Sequence, residues 1–150
     1  MSYTSPEVKL RALAVQNAAL QADLGGSSLS TFRWYNEQLT QNTIARVANG
    51  ACVTVTRPST IRQYNQGGIM PLSQPRFQID VYDLDSETAR KVANDLIQFM
   101  ATVNLANALP NQTSCTMLNQ MQRMLPNPSS PSGPVWVQML DYRIYCNELV

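Results

Sequence analysis

The stretch RFQIDVYDLDSETARKVANDLIQFM, Arg76 to Met100, changes its hydrophobic period halfway along, with no glycine or proline between the two halves. Phe77, Ile79 and Val81 alternate with Gln78, Asp80 and Tyr82. That two-residue period belongs to a half-buried strand, with one face toward a core and the other toward polar surroundings. From Ala89 the apolar residues fall at Ala89, Val92, Ala93, Leu96, Ile97 and Met100, while Arg90, Lys91, Asn94, Asp95 and Gln98 take the opposite side. This is the three-and-four spacing of an amphipathic helix. Asp85 or Ser86 can accept a hydrogen bond from the free amides of the first turn, and Glu87 sits at the positive end of the helix dipole. The stretch predicts a strand that turns directly into a helix of about nineteen residues, roughly 28 Å long. Such a helix can cover one face of a four-stranded sheet.

Outward from this junction, Ser5-Pro6-Glu7 is a helix start, with a serine cap, proline at the first helical position and a carboxylate in the first turn. Leu10, Leu13, Ala14, Leu20 and Leu24 keep a stripe that Asn17 interrupts, and Gly25-Gly26 supplies a stop, so a helix is expected over Pro6–Asp23. Residues 27–49 hold neither period; TFRWYNEQL is aromatic-rich, and NTIARVANG reads equally as a short helical turn or an extended lead-in. The run GACVTVTRP predicts a strand over Ala51–Arg57, stopped by Pro58. Ser59–Pro75, with Gly67-Gly68 in its middle, reads as an exposed loop or a flexible hairpin arm. NALPNQTS makes a turn, Cys115–Met124 a further extended segment and LPNPSSPSGP a loop. Val135–Leu149 then reads as a strand, with Leu140, Tyr142, Ile144 and Cys146 facing one way and Asp141, Arg143 and Tyr145 the other. The expected fold is one α+β domain over residues 1–150, a mostly antiparallel β-sheet of about four strands with one long helix packed on a face and an N-terminal helix.

Eleven basic and ten acidic side chains leave a net charge of +1, and no cluster of Lys and Arg stands out. A specific nucleic-acid or anionic-membrane binder needs such a footprint. Charged residues make up 14% of the chain, below the usual value of about 25%, which suits either packing against copies of itself or a quiet soluble surface. Cys52, Cys115 and Cys146 lie far apart without a CxxC pair, which argues for small buried residues in a reducing compartment rather than disulfides or a zinc site. No basic segment followed by an apolar run opens the chain, and no window approaches eighteen apolar residues, so neither a signal peptide nor a membrane span is expected.

The chain has no histidine, which removes the commonest general base, the commonest metal ligand and any Ser-His or Cys-His nucleophile. Asp80, Asp83 and Asp85 are the densest carboxylate group, but one falls on a strand face, one in the turn and one at the helix cap. Turn formation and capping account for them without a ligand. Phosphate-binding glycine patterns are missing, so Gly67-Gly68 reads as a loop tip. Phe32, Trp34 and Tyr35 flank Arg33 and could stack on bases, yet without a basic stripe they fit a core or a protomer interface better. Met117, Met121, Met124 and Met139 fit sheet packing, with adaptable interface contacts as the second reading. No catalytic, cofactor-binding or metal-binding residues are expected, and the chain is not read as an enzyme.

LRALAVQNAALQADLGG, then PRFQIDVYDLDSETARKVANDLIQFM, then MLDYRIYCNE resemble, in that order, the tail-terminator (tail-completion) proteins of long-tailed bacteriophages. Arg76, Ile79, Asp80, Val81, Tyr82, Ala89, Leu96, Asp141, Ile144 and Tyr145 are the positions that fit, and they mark a fold rather than a catalytic site. Gly26–Asn49 and Ser59–Pro75 depart from the pattern. The resemblance implies a structural virion component located in the tail neck region, assembled in the host cytoplasm. It would form a homo-hexameric ring on the head-proximal end of the tail tube, stop tube growth and join the head. Its partners would be the major tail tube protein and a head-completion or neck protein, with DNA free to pass through the ring and no membrane involved. Within that reading Arg57, Arg62, Tyr64, Gly67, Gly68 and Ile69 become candidate partner contacts, and Phe32, Trp34 and Tyr35 candidate inter-subunit contacts. Two alternatives stand beside it: another neck component, such as a head-completion or stopper protein, and a small bacterial α+β ligand-binding domain.

Overall fold

A computed structural model of the chain describes residues 6–36, 47–106, 112–125 and 133–147. In chain order it contains helices α1 (Pro6–Ala14) and α2 (Ala18–Leu24), strand β1 (Trp34–Tyr35) and a single 3-10 turn (Val47–Asn49). Strands β2 (Cys52–Asn65) and β3 (Gly68–Asp83), helix α3 (Ser86–Ala106), and strands β4 (Gln112–Leu125) and β5 (Val135–Asn147) follow. The sheet order is β1-β2-β3-β5-β4. Only the two-residue β1 runs parallel to its neighbour, and the remaining pairs are antiparallel. The fold is α+β, as expected, with five strands in place of about four.

The junction between β3 and α3 is set by two short-range contacts. Asp83 Oδ1 accepts from the Asp85 amide at 2.8 Å, which closes the turn. Asp85 Oδ2 accepts from the Thr88 amide at 3.0 Å and from the Thr88 hydroxyl at 2.7 Å, which caps the helix. These bonds hold the exposed Asp85 carboxyl below its ordinary value of 3.8. The turn and the cap therefore use two of the three clustered aspartates. Along α3, Ala89, Val92, Ala93, Leu96, Phe99 and Met100 are buried. Val92, Ala93, Leu96, Phe99 and Met100 join one core with Phe77, Ile79 and Val81 of β3 and Leu140, Tyr142 and Ile144 of β5, the faces that alternation predicts.

The single N-terminal helix expected over Pro6–Asp23 is in fact two. Asn17 has extended backbone, φ −82 and ψ 124, and its side chain accepts from the Leu20 amide at 3.1 Å, so it caps α2 rather than continuing α1. Leu10, Ala14, Leu20 and Leu24 nevertheless enter the same core as α3. All three helices thus lie on one face of the sheet. Lys91 on α3 ties α2 down through Asp23 Oδ1 at 2.8 Å and also reaches Asp95 on its own helix at 3.0 Å.

Of the two readings of Ser59–Pro75, the structure has the hairpin arm and not the loop. β2 and β3 continue past the expected stop at Pro58 and form one long antiparallel hairpin whose tip is Gln66-Gly67. Pro58 is tolerated because β1 pairs only with Val53 and Thr54, which leaves β2 an outer strand beyond them, and because the register shifts between Thr56 and Ser59. Outer strands and bulges are where a missing amide costs least. Pro71 falls in the second register shift of this hairpin, between Arg62 and Tyr64 on the partner strand. β3, at sixteen residues, is about 53 Å long, whereas the 21-residue α3 is about 31 Å, so the helix cannot cover the whole hairpin. Among the described residues no helix is long and apolar enough to cross a membrane.

Candidate assembly surface

The face of the sheet away from the helices is built from the alternate residues of the same strands. At its lower end Cys52, Tyr82, Val135 and Val137 form a second, smaller core, covered by Val47 and flanked by Tyr35, Leu84, Leu125 and Met139. Cys52 is fully buried, as its reading as a small apolar residue requires; the side chains of Cys115 and Cys146 lie outside the described ones. Above this patch the face becomes polar. Asp80 accepts from Gln78 Nε2 at 3.1 and 3.2 Å and from the Tyr82 hydroxyl at 3.2 Å. Burial pushes the Asp80 carboxyl above its ordinary 3.8, and those two hydrogen bonds offset only part of the rise. Burial likewise moves the Tyr82 phenol up to about 12, with the Asp80 charge adding to it. Higher still, Arg76 donates to Asp141 Oδ2 at 2.8 Å across the β3–β5 pair, with Arg143 directly opposite Arg76. Among the described residues no group of three or more Cys, Asp and Glu is placed to hold a metal ion.

The aromatic residues proposed as inter-subunit contacts are mostly interior. Phe32 and Trp34 are buried in the main core and stack on each other with ring centroids 6.1 Å apart. The apolar surface they offer is used against the helices and β2. Tyr35 is half-buried beside the second core. Arg33, between them, is fixed by its own chain. It donates to the carbonyl of Ala51 at 2.8 Å and to that of Asp23 at 3.0 Å. Its guanidinium lies where side chains at Gly25 and Gly50 would stand, each of which would come within 2.6 Å. Both glycines also hold positive φ, 103 and 126, which favours glycine over any other residue. Arg33 is therefore a structural clamp between two loops, not a base-stacking cation.

Of the candidate partner contacts, Arg57 is also a structural residue. It forms a two-pronged ion pair with Glu7 of α1, at 2.6 and 2.9 Å, and its guanidinium sits 5.3 Å from the centre of the Phe77 ring. It fastens α1 to the sheet instead of projecting from the arm. Arg62 and Tyr64 lie on β2 and Gly68 and Ile69 on β3, where Tyr64 pairs with Ile69 near the tip, and Gly67 is exposed at the tip itself. The side chains of Arg62, Tyr64 and Ile69 lie outside the described ones.

The most exposed apolar strand is one that alternation did not single out. β4 lies at the end of the sheet, bonded on one side to β5. Every residue from Thr116 to Met124 is exposed. Met117, Leu118, Met121 and Met124 are 42–55% exposed, four of the six large apolar side chains that stand out into solvent among the described residues. A register shift between Met117 and Asn119 locally disturbs the ladder. On the helix side, Gln138 of β5 donates to Gln122 at 2.8 Å, and Arg90 of α3 reaches Gln122 at 3.4 Å, so the edge is held to the body by polar contacts. The sequence carried a faint signal in Met117, Met121 and Met124, whose spacing of four and three does not keep to one face of a strand.

No family model matches the chain, and no curated protein matches it. Among solved structures, the chain is similar to a chain of the virion of a native gene transfer agent (GTA) particle, with a TM-score of 0.55 and 13% identity. The similarity covers 93% of this chain and 93% of that one. At that identity the likeness concerns the fold.

Proposed function

We propose that the chain is a structural, non-enzymatic virion protein whose six copies close a ring on the head-proximal end of a phage tail tube. There it ends tube polymerisation and offers a joining surface to a head-completion or neck protein. The observation that carries this reading is the end-to-end match of its fold, over 93% of both chains, to a chain from a gene transfer agent virion. It agrees with the motif resemblance at Arg76–Met100 and Asp141–Tyr145. A sheet with helices on one face and open strands at its ends is a block that can be set side by side until a rotation closes. Six copies of a 16.7 kDa chain make a ring of about 100 kDa. Capping then follows from two unlike faces: one matches the tube end, and the other fails to match a further tube subunit. The ring needs no cofactor. It belongs to the neck of the virion, is assembled in the host cytoplasm, and leaves a channel through which DNA passes.

The test is the tail-length distribution in negatively stained lysates of an amber mutant in this gene. Tails that overrun their normal length and stay unjoined to filled heads are the expected result. Unattached tails of unchanged, narrow length would overturn the terminator role and favour a head-side stopper.

A further inference from the structure

We propose that neighbouring copies in the ring join strand to strand, the outer edge of β4 on one copy pairing with the outer edge of the β2 arm, Ser59–Asn65, on the next. This deepens the ring reading and rests on it. β4 is fourteen residues long and lies at the end of the sheet. From Gln112 to Leu125 it has no proline, lysine or acidic residue, and Arg123 is its one charge. An exposed edge normally carries some of these to block pairing with another chain. Its Met117, Leu118, Met121 and Met124 are instead large, adaptable and exposed, the side chains suited to a surface that is covered on assembly.

The occupant follows from the other side of the same sheet. β1 covers β2 only at Val53 and Thr54, and past the irregularity at Arg57-Pro58 the strand runs on as the outer strand to Asn65. Among the described residues the chain thus carries two unlike open edges on opposite sides of one sheet, the requirement for a head-to-tail contact that closes a ring. Strand direction also fits. Each of the pairs β2–β3, β3–β5 and β5–β4 is antiparallel, so β2 and β4 run in opposite directions. Across the sheet Ser59 lies level with Thr116 and Arg62 with Gln112, so the arm meets Met117–Met124 of the next copy when each copy is offset along the strand from the last, as tilted strands in a closed ring are, and the joint is then antiparallel, the more stable ladder. Seven residues of shared edge span about 23 Å. A ladder this short is a small contact beside the roughly 800 Å² per partner of a stable pair. A single joint is then too weak to hold two free copies together, and the ring closes where the tube end gathers them.

The experiment compares amide hydrogen exchange of the free chain with that of the chain in assembled tails. It also compares occupancy of tube ends by a Met121→Lys/Met124→Lys double variant and by Leu29→Lys, a control at an exposed apolar residue away from the edge. Amides in 112–125 and in 59–65 are expected to slow together by about tenfold or more on assembly. The double variant should keep the wild-type melting temperature yet lose ring occupancy about tenfold, and Leu29→Lys should retain it. Should the double variant fail to fold, the exchange measurement on the wild-type chain decides alone. Slowing in 112–125 without slowing in 59–65 would overturn the proposal in favour of β4–β4 pairing or contact with the tube protein. A ring present on tube ends with both segments exchanging as fast as in the free chain would overturn it while leaving the ring intact. Tails with no ring of this chain would instead overturn the proposed function.

Discussion

Strands β3 and β4 are separated by one strand in the same sheet and have similar lengths, yet one is interior and the other open. Residues Phe77 to Asp83 of β3 are all buried except Gln78, because α3 covers one face and the second core and its polar rim cover the other. In β4 no residue from Thr116 to Met124 is buried on either face. The same backbone conformation thus serves two purposes. Where both faces and both edges are occupied, the strand specifies the fold. Where, among the described residues, one edge is unpaired and no side chain is buried on either face, the strand adds little to the core. The contrast also explains how exposed methionines coexist with a well-formed core: they lie on the strand that contributes least to it.

The contrast breaks most completely if the cover over β3 is removed. Ala93 is fully buried on α3 against that strand. Ala93→Arg places an unpaired charge there, at a cost of several kcal/mol, on the order of a typical domain's whole stability. Arg90→Ala, on the exposed side of the same helix, removes only an exposed pair with Glu87 at 3.3 Å and a 3.4 Å contact to Gln122. Thermal unfolding followed by circular dichroism should show Ala93→Arg unfolded or melting far lower, with Arg90→Ala close to wild type. Equal melting of Ala93→Arg and wild type would remove the basis for calling β3 interior.

A matched pair of truncations sharpens the comparison directly. Ile79→Ala in β3 empties fully buried space and should cost about 2–5 kcal/mol. Met121→Ala in β4 trims a side chain already half in water and should change stability by less than about 0.5 kcal/mol. Urea midpoints for the two variants check this. Similar losses would mean that the β4 side chains are packed in the free chain and are not held open for assembly.

How much of this was legible beforehand follows the same division. Phe77, Ile79, Val81, Leu140, Tyr142 and Ile144 alternate because one face is buried, and the α3 stripe repeats because one side is buried, so periodicity located both elements. For the arm, loop and hairpin stood side by side because Pro58, Pro71 and Pro75 normally end strands, whereas here β2 is an outer strand with register shifts and its partner absorbs the irregularities, so the hairpin forms. The break of the first helix at Asn17 was visible only as a gap in a stripe, since a side-chain cap depends on local geometry. Trp34, the largest fully buried side chain, sits in a two-residue strand too short to show any period. The assembly edge was the least legible: with neither face of β4 buried, no alternation is imposed on its residues, and only the unusual share of methionine marks it. Arg57 looked like a loop contact because its partner Glu7 is fifty residues away in sequence.

The smallest expected effect concerns the polar half of β3. Asp80 is buried beside Gln78 and Tyr82, with Arg123 favouring its charge and Asp141 opposing it, and desolvation dominates to raise its pKa. A carboxyl whose folded value lies above its unfolded one binds its proton more tightly in the native state. Its favourable contribution is therefore complete below the unfolded value, near 3.8, and is lost as pH rises through the raised folded value. Asp80→Asn keeps an oxygen to accept from Gln78 and Tyr82 but carries no charge to desolvate. The variant should match wild type near pH 3.5 and melt slightly higher at pH 7, the difference opening across the interval above 3.8. Because the Asp80 charge also adds to the rise of the Tyr82 phenol toward about 12, that phenol should titrate somewhat lower in the variant, read by ultraviolet absorbance. A variant less stable than wild type at pH 7 would mean that the Asp80 carboxylate is stabilised by its neighbours more than burial opposes it. The open face of β3 would then be a charged surface rather than an extension of the interior.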